Sequence, residues 1–89
     1  MKEQAVAARR RAILEVVENQ MRDNNPPETR QTFDRLIGQG LSSEEAMRLI
    51  GCVVAAEIFE ILERGSPFEM ERYVAGLEAL PSLPWEPTT

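Results

Sequence analysis

Few side chains in this sequence have types and spacings that could carry chemistry: Cys52, the pair Glu57 and Glu60, the run Arg9-Arg10-Arg11, and Trp85. A cysteine becomes a nucleophile when a neighbouring base or cation favours its thiolate, most often a histidine. The chain has no histidine, and Cys52 is its single cysteine. Around it, Gly51 to Ala56 is small and apolar, the setting of an inert core thiol. One thiol without histidine can form neither an intrachain disulfide nor a cysteine–histidine zinc site.

Glu57 and Glu60 stand one helical turn apart and could share a proton or hold a metal. Carboxylate metal sites in helical bundles draw on Glu-x-x-His pairs, which this chain lacks. Arg64 follows Glu60 by four residues, so a surface ion pair is the simpler role for Glu60. Ile50, Val53 and Ile61 crowd the side of the helix that carries Glu57. A buried Glu57 needs a cation, for which Arg30 and Arg35 are the candidates. The pattern assigns no catalytic, cofactor-binding or metal-ligating residue.

The three arginines spread over roughly 200° of a helix and make no tight patch. Residues 1–22 hold five basic and three acidic side chains, and residues 23–89 hold five basic and twelve acidic ones. The net charge of −5 therefore sits in an acidic body, which disfavours phosphate backbones and anionic lipid. Nucleic-acid binding is the least favoured function. Trp85 is the single tryptophan, set in Leu83-Pro84-Trp85. An aromatic beside a leucine in such a tail either folds back onto the domain, the favoured reading, or anchors in a partner.

The elements that must position these residues follow from periodicity and caps. Eighty-nine residues make one domain, read as 1–80, with an extended proline-rich tail over 81–89. The N-terminus lacks the apolar run of a signal peptide, and no stretch is long and apolar enough to span a bilayer. With the lone cysteine, this places the chain in the cytoplasm. The fold class is all-α, a small four-helix domain. A first helix over 3–22 turns Val6, Ile13, Leu14, Val17 and Met21 inward. A second starts with Asn25 as N-cap and Pro26 and Pro27 in its first turn, buries Thr29, Phe33, Leu36 and Ile37, and closes at Gly38-Gln39-Gly40. A third opens with the capping box Ser42–Glu45 and runs to Arg64, stopping at Gly65. A fourth opens with Ser66-Pro67-Phe68-Glu69, carries Met70, Tyr73, Val74 and Leu77 inward, and ends near Leu80-Pro81.

The long third helix is the central element. Ile50, Ile61, Val54, Met47, Ile58, Gly51, Leu62 and Ala55 fall on one arc of roughly 140°, the predicted core face. Leu49, Cys52, Ala56 and Phe59 lie beyond it, interrupted by Glu45, Arg48 and Glu63, and the clearly polar sector holds Glu57, Glu60 and Arg64. A helix apolar over most of its circumference must be covered on more than one side. Small residues at 51, 52, 55 and 56 admit close approach of another helix, either within the subunit, which is favoured, or from a second copy.

Asn25-Pro26-Pro27-Glu28-Thr29, the segment GLSSEEA over 40–46, Glu57-Ile58-Phe59, Pro67-Phe68 with Arg72-Tyr73, and Leu80-Pro81 together resemble small all-helical bacterial proteins of unknown function. The resemblance spans roughly residues 25–85. It implies a bacterial helical domain and carries no activity or site residue. The sequence thus points to a protein-interaction or accessory module, not an enzyme, with a protein partner or a second copy as its ligand. Leu49, Cys52, Ala56, Phe59 and Trp85 are the candidate interface, and Glu57 is the candidate buried polar group. Two alternatives stand beside it: a helical domain holding a small apolar ligand beside Gly51 and Ala55, and a carboxylate enzyme built on Glu57 with an arginine.

Overall fold

The computed structural model describes residues 2–84 and shows four helices in chain order. They are α1 (Lys2–Asp23), α2 (Pro27–Gly38), α3 (Ser43–Arg64) and α4 (Met70–Ala79), with no strand among the described residues. The first three boundaries are written locally. α1 ends because Asn24 adopts the left-handed region at φ 51°. The amide of Asn25 then donates to the Gln20 carbonyl and that of Asn24 to the Met21 carbonyl, a Schellman closure. α2 ends in the same way at Gly40, φ 99°, with Leu41 N–H donating to the Leu36 carbonyl. At the start of α3, the Glu45 amide donates to the Ser42 hydroxyl at 3.1 Å, and that hydroxyl in turn donates to the Glu45 carboxylate at 3.3 Å.

Two expected caps are corrected. Asn25 is not the N-cap of α2; Pro26 takes that place and its carbonyl accepts from the Thr29 amide, while the Asn25 amide is spent on closing α1. Ser66-Pro67-Phe68-Glu69 forms no capping box, and α4 begins at Met70. Gly65 in the left-handed region reverses the chain after α3, and the next four residues are used to cross to α4. Packing decides their conformation: the Phe68 ring lies 5.9 Å from that of Tyr73, and the Glu69 carboxylate approaches Arg72 at 3.9 Å instead of reaching back to Ser66.

α3 packs against each of the other three helices, and α1 and α4 lie on opposite flanks with no direct backbone approach between them. Ala46, Leu49, Ile50, Val53 and Val54 of α3 join Val17, Leu36, Tyr73, Leu77 and Leu80 in the core. α4 comes closest, since a Cβ built on Gly76 would lie 2.8 Å from Val53 Cγ1. α1 approaches at Gly51, where a Cβ would lie 3.3 Å from Ile13 Cγ2. Small residues thus serve close packing within the subunit at both flanks.

The orientation of α3 departs from the periodicity reading. Ile58 and Leu62, placed on the core arc, are 41% and 78% exposed. Leu49, assigned to the second face as a candidate interface residue, is 6% exposed and lies inside the core. Relative to the expected arc, the buried side is rotated by roughly 100° toward Glu57. The cause is the carboxylate itself. A helical wheel counts glutamate as a solvent marker, but Glu57 is 5% exposed because Arg72 of α4 neutralises it. With Glu57 turned inward, Ile58 and Leu62 turn outward.

Other expected core positions also lie at the surface. Val6 and Met70 are exposed, as is Ile37, and Thr32 occupies the buried position on α2 beside Thr29 and Leu36. The segment after α4 follows the bundle, with Leu83 packed against the core.

Candidate interaction surface

Two buried polar arrangements hold the helices around α3. In the first, Arg72 Nε donates to both carboxylate oxygens of Glu57 at 2.7 Å. Glu57 thereby holds the Arg72 guanidinium above its already high ordinary pKa. Arg72 Nη2 is buried without a hydrogen-bond partner, a small penalty inside the same pair. The partner of Glu57 is therefore Arg72, and neither arginine expected from the sequence is used. Arg35 instead donates from Nη1 to the Leu80 carbonyl and from Nη2 to the Leu77 carbonyl, both at 3.0 Å. A cation there satisfies the orphan carbonyls at the end of α4. Arg30 pairs with Asp34 one turn on and lies over the Phe33 ring. Glu60 pairs with Arg64 at 3.1 Å on the surface.

The second arrangement ties α1, α2 and α4 together. Thr29 Oγ1 donates to Gln20 Oε1 at 2.8 Å, and Tyr73 Oη donates to the same oxygen at 2.7 Å. Burial is the main cause that pushes the Tyr73 phenol above its ordinary pKa, and its hydrogen bonds to Thr29 and Gln20 pull the other way. A group whose folded pKa is raised contributes stability in full below its unfolded value, and that contribution is lost as pH rises through the folded pKa. Stability is therefore expected to fall from about pH 10 upward. Tyr73→Phe should flatten this alkaline limb in denaturant titrations, and an unchanged limb would assign it to other groups.

Both Glu57 oxygens accept from Arg72 Nε. Among the described residues, no cluster of three acidic or thiol side chains could hold a metal ion. Cys52 is half-buried, and Arg9, Arg10 and Arg11 lie exposed along α1.

What the fold does leave open is the outer side of α3. Two open grooves flank it. One, of about 1070 Å³, runs between α1 and α3 over Ile13, Leu14, Met47, Gly51, Cys52 and Ala55. The other, of about 740 Å³, runs between α3 and α4 past Ala56, Phe59, Arg72 and Gly76. Phe59, 61% exposed, stands on the ridge between them, and Leu62 follows one turn later. Of the candidate interface residues, Cys52, Ala56 and Phe59 share this outer side, Leu49 does not, and Trp85 lies outside the described residues. Ile58 and Leu62, on the core arc that periodicity predicts, belong to the surface. The rule that a buried glutamate needs a cation does not by itself say which arginine answers it, and only the packing of α4 against α3 brings Arg72 to Glu57.

No protein family, no curated protein and no solved structure matches this chain. Among the described residues no helix is long and apolar enough to cross a membrane.

Proposed function

We propose that this chain is a protein-interaction module that binds through the outer side of α3. The observation that carries the reading is the exposure of Ile58, Phe59 and Leu62 on consecutive turns of a helix whose opposite side builds the core. Isolated exposed apolar residues are ordinary, but a large aromatic and two branched aliphatics in i, i+1, i+4 relation form a continuous patch of the kind interfaces use. Phe68 and Met70, also exposed, follow in the segment that leads into α4. The flanking grooves are half open rather than enclosed, which suits an apolar helix of a partner better than an enclosed small ligand. The engaged state of Glu57 supports a structural role for the Glu57–Arg72 pair over an acid–base one.

The test is site-specific photo-cross-linking in intact cells. A photoreactive residue at Phe59 is expected to give one discrete adduct, and the same residue at Glu78, exposed on α4, is expected to give none. Absence of an adduct at Phe59, or equal labelling at both positions, overturns the reading.

A further inference from the structure

The outer side of α3 carries a pattern that is complementary to itself when reversed. Around the pair Ala55-Ala56, Cys52 stands three residues before and Phe59 three after, and Arg48 stands seven before and Glu63 seven after. All six lie within roughly 100° of the helix circumference, on the side away from the core. Arg48, Phe59 and Glu63 are exposed, and Cys52, Ala55 and Ala56 are half-buried. Arg48 has no ion-pair partner within the chain among the described residues, and neither does Glu63.

From this we infer that the partner of the surface is a second copy of this chain, docked with its α3 antiparallel across a two-fold axis at Ala55-Ala56. The inference rests on the interaction reading above. In this register each residue before the axis faces its counterpart after it on the other copy, as an isologous interface requires. Alanine faces alanine at the axis, so the two helices can approach to about 8 Å, the short end of the helix–helix range. The Phe59 ring of each copy meets the thiol and small-residue floor at Cys52 and Ala55 of the other, which belongs to the α1–α3 groove. Arg48 meets Glu63 of the other copy at both ends of the seam. A parallel arrangement would set Arg48 against Arg48 and Glu63 against Glu63, so charge selects the antiparallel one. Antiparallel helix dipoles add to the same preference.

Sedimentation velocity on the wild type, Arg48→Glu, Glu63→Arg and the double variant tests this. Both positions are exposed, so each variant should fold, which circular dichroism checks. The wild type is expected to be a dimer. Each single variant places like charges at both ends of the seam and should weaken it by at least about tenfold, and the double variant should restore it. A dimer indifferent to these charges overturns the register, and a wild-type monomer overturns self-pairing. The Phe59 cross-link separates this failure from failure of the interaction reading. An adduct of twice the 10.1 kDa chain mass supports the second copy. An adduct with a different protein overturns it and leaves the interaction reading standing.

Discussion

Truncating Ile50 to alanine is expected to cost about 3 kcal/mol of folding stability, whereas Leu62→Ala should change it by less than about 0.5 kcal/mol. Both side chains fall on the same apolar arc of the sequence. Ile50 is fully buried among the other helices, so its removal forfeits transfer energy and leaves a cavity that the surrounding core cannot fully close. Leu62 already faces solvent, and alanine even improves local helix propensity slightly. A domain of this size holds roughly 5–10 kcal/mol in total, so the first change removes a large share and lowers Tm by about 15 °C. Urea unfolding at low protein concentration, where association contributes little, reads the contrast directly. Similar losses at the two positions would mean that Leu62 is buried and that the outer side of α3 is not the free surface described above.

The second large effect concerns the ion pair that sets the rotation of α3. Arg72→Met leaves the Glu57 carboxylate buried with no counter-charge, and Tm is expected to fall by about 10 °C. Replacing both partners, Glu57→Met with Arg72→Met, should recover most of that loss. The double change removes the buried charge together with the unpaired Arg72 Nη2 donor and fills the space with apolar atoms. Thermal melts of the two variants check this. If the double variant is no more stable than the single one, the loss arises from packing around the long arginine stem and not from the orphaned charge. The expected recovery also fits the view that the pair orients α3 more than it stabilises the fold. Its absence from a helical wheel is the reason that wheel is misleading here.

The sequence by itself determined the number of helices, their order and most of their ends. The signals involved are short-range: Ser42 and Glu45 cap each other within one turn, and Asn24, Gly40 and Gly65 stop helices through their own backbone preference. It also limited the chemistry, because the absence of histidine and the single cysteine are facts of composition. Of the two helix starts that differ from expectation, the second is instructive. Ser66 and Glu69 have capping-box spacing, but Phe68 packs on Tyr73 and Glu69 turns to Arg72, so the helix begins later.

Only the tertiary structure decided which side of α3 faces the core. That choice depends on a contact between Glu57 and Arg72, fifteen residues apart and on different helices. A helix with apolar residues over most of its circumference has several rotations of similar hydrophobic gain, so one strong polar contact can select among them. The same contact decided that Leu49 is core, that Ile58 and Leu62 are surface, and that Phe59 stands between two grooves. Local periodicity records how apolar a face is. Which apolar face receives the neighbours within the subunit is a property of the packed whole.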